Sequence, residues 1–163
     1  MAKSKEEKTN VMRVLEQKKI AYSAHTYPHE EGMAVDGVTV AQSMGFDPAI
    51  VFKTLVARGA SKQYYVFDVP VAENLDLKKA AKAVGEKSIE MIHQKELLPL
   101  TGYVHGGCSP VGMKKLFPTV FHSSAENLAA MIVSAGKIGY QVELSPRDLA
   151  ALVRAKFADI IVE

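Results

Sequence analysis

The sequence predicts a single α+β domain: a mixed, mostly antiparallel sheet or partial barrel surrounded by helices. Three observations lead there. Short β-branched and aromatic runs mix with helix-period segments without strict strand–helix alternation, which argues against a doubly wound parallel sheet. Two of the runs, 50–57 and 63–69, are joined by Arg58-Gly59-Ala60-Ser61-Lys62, a glycine-containing turn that predicts a hairpin. The 163 residues, 48% hydrophobic and 23% charged, suit one core, and no repeat, low-complexity tract or linker divides them.

The elements follow in order. Thr9 or Asn10 caps a first helix, with Val11, Val14 and Leu15 at helical spacing and an end near Lys19. A strand over 20–27 stops at Pro28. The polar stretch 30–37 is a loop, and 38–44 a short helix closed by Gly45 ahead of Pro48. After the hairpin, Asn74 or Asp76 caps a helix through Ala80, Ala81 and Val84 that ends at Gly85. A short strand over 88–92 leads into a helix over 93–98, which Pro99 is expected to stop. Residues 102–112 are the most glycine-dense part of the chain and read as a loop. Strands follow at 119–122 and 130–134, then a tight turn, Gly136-Lys137-Ile138-Gly139, into a strand over 140–144. Ser145-Pro146 is an N-cap with proline at N1, opening a helix through Leu149, Leu152 and Val153. Residues 157–162 close the chain as strand or coil.

Composition narrows function only a little. The net charge of +2 is compatible with a polyanionic partner but falls short of a nucleic-acid footprint, and the lysine clusters (Lys3/Lys5/Lys8, Lys78/Lys79/Lys82, Lys114/Lys115) read first as solvated surface. No apolar stretch approaches membrane-spanning length, and the charged N-terminus, expected to be flexible over 1–8, lacks a signal-peptide apolar core; the expectation is a cytoplasmic protein with no membrane partner. The single cysteine, Cys108, excludes an internal disulfide.

The most informative residue is Lys53, inside Ile50-Val51-Phe52-Lys53-Thr54-Leu55-Val56. On a strand it shares a face with Val51 and Leu55, so its ammonium must be paired, reach a pocket mouth, or lose its proton. A cation on a rigid apolar wall suits an anionic or carbonyl-rich ligand; the alternative is a lysine snorkelling at a sheet edge. The loop 106–112 frees main-chain N–H groups at Gly106 and Gly107 to face a ligand, with Ser109 adding a hydroxyl; the alternative is a simple turn. Ser134 opens a second small-residue turn. Tyr27 and His29 flank Pro28, where strand-end packing competes with a place at a pocket mouth. Cys108 and His105 lie three residues apart, with no third residue to orient them as a nucleophilic pair. The five histidines are dispersed, and neither a metal site nor a cofactor is expected.

Taken in order, His25-Thr26-Tyr27, Phe52-Lys53-Thr54-Leu55, Gly106-Gly107-Cys108-Ser109-Pro110-Val111-Gly112, Ser134-Ala135-Gly136-Lys137-Ile138-Gly139 and Val142-Glu143-Leu144-Ser145-Pro146-Arg147-Asp148-Leu149 closely resemble the YbaK/EbsC family. These are bacterial Cys-tRNA(Pro) deacylases, free-standing relatives of the editing domain inserted in bacterial prolyl-tRNA synthetases. The resemblance runs from about Thr9 to near the C-terminus and implies that 1–163 is one editing domain. It implies a trans-editing enzyme whose partners are mischarged tRNA, with tRNA(Pro) foremost, and prolyl-tRNA synthetase. Cysteine and proline are similar in size, so a synthetase pocket separates them poorly and a second site is needed. Family members are understood to use the substrate's own thiol, which attacks the aminoacyl carbonyl and releases the tRNA. By this resemblance Lys53 is the catalytic residue, holding the tRNA 3′ end or orienting the ester. Gly106, Gly107 and Ser109 face the carbonyl or ribose, and Tyr27 and Ser134 line the pocket. Thr54, next to Lys53, favours the cysteine type, since relatives that clear alanine tend to carry asparagine there. Two readings compete: a non-catalytic tRNA- or synthetase-binding module, and a deacylase of another ester, such as Ala-tRNA(Pro) or a free aminoacyl ester.

Overall fold

The computed structural model describes residues 8–163; Lys3, Lys5 and all but the last residue of the expected flexible segment 1–8 lie outside the described residues. The helices are α1 (Asn10–Gln17), α2 (Gly37–Met44), α3 (Leu77–Val84), α4 (Gln94–Thr101) and α5 (Pro146–Val153). The strands are β1 (Tyr22–Thr26), β2 (Phe52–Gly59), β3 (Tyr64–Pro70), β4 (Ile89–Met91), β5 (Thr119–His122), β6 (Met131–Lys137), β7 (Tyr140–Leu144) and β8 (Lys156–Ala158). Helix starts follow the capping chemistry. Thr9 Oγ1 accepts from the Met12 N–H, Asp36 from Thr39, Asp76 from Lys78 and Lys79, and Ser145 from Asp148. Gly45 and Gly85 close α2 and α3 at φ +79° and +75°.

The strands form two sheets that do not close into a barrel. One has the order β4-β2-β3-β5-β8, and the other β1-β7-β6. The β3–β5 and β5–β8 pairings are parallel and the others antiparallel. An isolated parallel bridge between Val51 and Ile132 joins the sheets edge to edge. One face of the larger sheet, with Ala57, Phe67, Val69 and Val120, packs on Ala80 and Ala81 of α3. Its other face is covered in two parts. Phe52 and Phe121 meet the smaller sheet, α1 and α5, while Val56 and Val66 meet Leu97 of α4 and Cys108 of the glycine-rich loop.

Two local expectations change. Pro99 does not stop α4, which runs to Thr101. The proline forgoes one main-chain bond, and the extra turn is held by the Thr101 hydroxyl donating to Leu97 O and by Gly102 at φ +89° donating to Leu98 O. The turn after β6 is also tighter than expected. Lys137 still pairs with Tyr140, and an irregularity between Ser134 and Lys137 absorbs the small residues Ala135 and Gly136 inside the strand.

Candidate functional site

The site begins with a gap in strand pairing. β3 occupies one edge of β2 from Phe52 to Arg58. On the opposite edge β4 pairs only with Ala57, Arg58 and Gly59, and the bridge to β6 is made at Val51. Between them, Phe52 to Leu55 have no strand partner on that side among the described residues. A cavity of about 300 Å³ lies there, at the small end of ligand pockets. Its walls are Val51 to Leu55, Tyr27, the start of α2, Val71, Leu97, a stretch of the glycine-rich loop, and Ser134 with Gln141 from the smaller sheet.

The structure brings together Lys53, Thr54, Tyr27, Gly106 and Ser134 around this one cavity. Lys53 is half-buried. Burial lowers the pKa of its ammonium and the charge of Glu73 opposes that, but no carboxylate lies within ion-pair distance among the described residues. Tyr27 is buried, its N–H donating to Gly139 O at 3.0 Å, and burial raises its phenol pKa. The Ser134 hydroxyl accepts from the Gly136 N–H at 3.0 Å. Gly106 sits at φ +90°, and a Cβ there would come within 2.7 Å of Ala34 Cβ, so the loop before α2 is held tightly against it.

Gly107 and Ser109 lie behind this wall rather than in it. The Gly107 N–H donates to Val104 O at 2.9 Å, and the Ser109 hydroxyl, fully buried, accepts from the Val111 N–H at 3.2 Å. Both serve the loop's own geometry. His29 is exposed and does not line the cavity; its Nδ1 lies 3.2 Å from Tyr27 O, which accepts.

Sequence reasoning passes over two residues. Gln141, across from Ser134 on β7, lines the cavity with its Oε1 buried and unpartnered. Asp68, across from Thr54 on β3, is fully buried, and neither carboxylate oxygen has a hydrogen-bond partner. Burial pushes its carboxyl up to about 7, and the facing Thr54 hydroxyl offsets a little of that rise. The two groups are close enough to interact but outside hydrogen-bond geometry. Cys108 also lines the cavity. Burial foremost, and the charge of Asp68 next, push its thiol up to about 12, so it is a protonated thiol at neutral pH rather than a nucleophile. Among the described residues no three His, Cys, Asp or Glu side chains gather so as to hold a metal ion, and no helix is long and apolar enough to cross a membrane.

Comparison with known proteins gives a consistent result. The profile of the aminoacyl-tRNA editing domain matches residues 29–152. A protein of Enterococcus faecalis, EbsC, named as a candidate Cys-tRNA(Pro)/Cys-tRNA(Cys) deacylase, is 45% identical over 161 residues, spanning 98% of each chain. A crystal structure described as a candidate trans-editing enzyme for prolyl tRNA synthetase superposes with a TM-score of 0.79 at 25% identity, covering 94% of this chain and 95% of its own. A hypothetical protein at 20% identity shares the fold, with a TM-score of 0.82 over 93% of this chain and 99% of its own.

Proposed function

The chain belongs to the aminoacyl-tRNA editing domain family, and on that premise we propose that it deacylates cysteine mischarged onto tRNA(Pro). It is an aminoacyl-tRNA deacylase, and 1–163 acts as one editing domain, working in the cytoplasm where charged tRNA is used. The observation that carries the reading is Lys53: an ammonium with no carboxylate within ion-pair distance among the described residues, held on the unpaired edge of β2 inside a small, mostly apolar cavity.

The cavity's own chemistry favours a substrate that brings its nucleophile. Its one sulfur is the protonated Cys108 thiol. A cysteinyl ester supplies a thiol two bonds from its α-carbon. Its sulfur attacks the aminoacyl carbonyl carbon, and the ester bond to the ribose oxygen then breaks. The thiol proton ends on that ribose oxygen, giving a cyclic thioester and free tRNA; water later opens the thioester to cysteine. The protein supplies orientation and electrostatics. Lys53 faces the negative charge that develops on the carbonyl oxygen or holds the 3′-terminal phosphate. Val51, Leu55, Val71 and Leu97 give the side chain an apolar seat. Prolyl-tRNA synthetase would deliver the tRNA, consistent with a net charge of only +2.

The test is a deacylation panel. Purified protein is mixed with Cys-tRNA(Pro), Ser-tRNA(Pro), Ala-tRNA(Pro) and Pro-tRNA(Pro), with and without prolyl-tRNA synthetase. The expected result is loss of cysteine alone, since serine is close in shape but a far poorer nucleophile. Rates equal to buffer controls on every substrate would overturn the reading. Clearance of alanine would point to the alternative specificity, and tight tRNA binding without turnover to a non-catalytic module.

A further inference from the structure

A second hollow adjoins the cavity. It is an open groove of about 540 Å³ walled by His29, Glu31, Tyr103, Val104, Lys137 and Tyr140, with glycine main chain between them. It shares no residue with the cavity, yet four segments that line the cavity run on into it. Tyr27 is followed by His29, Val104 precedes His105 and Gly106, Gly136 follows Ser134, and Tyr140 precedes Gln141. The groove is built around aromatic rings. A Cβ on Gly139, at φ +97°, would lie 2.2 Å from His29 Cε1, and one on Gly136, at φ +92°, would lie 3.0 Å from Tyr103 Cε1, so both rings sit against bare main chain of one turn. The His29 ring meets the Tyr27 ring of the cavity wall at 6.1 Å and the Tyr140 ring at 6.4 Å, both edge to face. Lys137 Nζ stands 5.4 Å from the Tyr140 ring centroid, and the wall carries one negative side chain, Glu31, against this positive one. Val104 and, next to Gly32, Met33 are large exposed apolar side chains at the same place. Flat rings, apolar edges and little net charge suit the faces of nucleobases better than a track of phosphates.

We propose that this groove seats the unpaired nucleotides that precede the esterified adenosine of the substrate, with His29 stacking on the base nearest the cavity. The argument is continuity. An aminoacyl ester at Lys53 arrives attached to single-stranded RNA, and a cavity of about 300 Å³ holds the aminoacyl group with little beyond its ribose. The preceding nucleotides lie on the adjoining surface, and the contact of Tyr27 with His29 makes the groove the next wall they meet. Stacking uses the π face that every base has, so the groove is tolerant of sequence. It also accounts for how a chain with a net charge of only +2 holds RNA: affinity comes from base faces, with few phosphates neutralised.

Because this role rests on the deacylase reading, the experiment has two arms. The first compares kcat/KM on the cysteinyl esters of adenosine and of the trinucleotide CCA, for wild type, His29→Ala and His29→Phe. The ratio of the two substrates within each protein cancels any change in the chemistry at Lys53. That ratio is expected to be at least about tenfold in wild type, the worth of one stacked base, and below about threefold in His29→Ala. His29→Phe keeps a flat ring and is expected to keep the wild-type ratio. His29 is exposed, so its replacement leaves the core untouched. Equal ratios in wild type and His29→Ala would overturn the proposal. The second arm needs no turnover. Uncharged CCA is titrated into the protein while aromatic NMR follows the ring of His29, identified by its loss in His29→Ala, and that of Tyr140. Saturable shifts at both rings, with affinity read at Tyr140 weakened about tenfold in His29→Ala, support the proposal even if the deacylation panel shows no turnover. Rings unmoved at millimolar CCA, or binding as tight in His29→Ala as in wild type, overturn it whatever the enzyme does.

Discussion

Replacing Gly106 with alanine probes the cavity wall in two separable ways. At φ +90° an L side chain is strained by roughly 1–2 kcal/mol. The new methyl would also lie 2.7 Å from Ala34 Cβ and 3.1 Å from Ala34 Cα, contacts that force the loop before α2 to move and cost about 1–3 kcal/mol as overpacking. The expected loss is about 3 kcal/mol, read as a shift of the urea unfolding midpoint with unchanged slope. Ala34→Gly removes the closer contact and leaves the backbone strain. A double-mutant cycle should therefore show a rescuing interaction of about 1–2 kcal/mol. Deacylation should follow the same pattern, because Gly106 lines the cavity: reduced in Gly106→Ala and partly restored in the double variant. Additivity within about 0.5 kcal/mol would show that Ala34 does not hold the loop against Gly106, and the account of this wall would fail.

Other outcomes follow from the same geometry. Lys53→Ala is expected to lower kcat/KM on Cys-tRNA(Pro) at least about tenfold, roughly 1.4 kcal/mol of transition-state stabilisation, and wild-type activity in this variant would remove Lys53 from the mechanism. Cys108→Ala should deacylate normally, and iodoacetamide at pH 8, followed by mass spectrometry, should label Cys108 in the folded protein at least about a hundredfold more slowly than in urea. A dead Cys108→Ala enzyme would revive a protein thiol. Asp68 binds its proton more tightly folded than unfolded, so its contribution is fully favourable below pH 3.8 and is lost as pH rises toward 7. Raising a carboxyl from 3.8 to about 7 corresponds to roughly 4 kcal/mol, about 2 to 3 kcal/mol of it between pH 5 and pH 8. Asp68→Asn should therefore gain stability relative to wild type by about that amount over this interval in urea melts, and a constant difference would refute the assignment.

Much of this was legible in the residues because it is local. A cap, a closing glycine or a Ser-Pro start is written in a few adjacent positions, and the helix starts at Thr9, Asp36, Asp76 and Ser145 follow from them. Lys53 stands out because a charge inside an apolar strand must be explained. Asp68, within Tyr64-Tyr65-Val66-Phe67-Asp68-Val69-Pro70, carries the same signature and invites the same question. What no local pattern supplies is register: only the pairing of Ser134 with Gln141 shows a second polar group at the cavity wall, and only that of Thr54 with Asp68 shows a carboxyl buried behind it. The glycine-rich loop shows the converse limit. Its composition announces free main chain but not direction, and the structure spends Gly107 and Ser109 on the loop itself while leaving Gly106 at the wall. Pro99 was misleading because an eight-residue helix can lose one bond and be closed from beyond its end.

The mismatch in length between β2 and β4 has a wider meaning. The chamber is not carved from the hydrophobic interior; it is the interval left where a neighbouring strand ends early and the other sheet has not yet begun. Recognition thus depends on something the chain omits rather than something it adds. About five further residues of extended backbone at the edge of β4 would carry the antiparallel register on to Phe52, heal the seam, and leave a tidier protein with nowhere for a substrate to go.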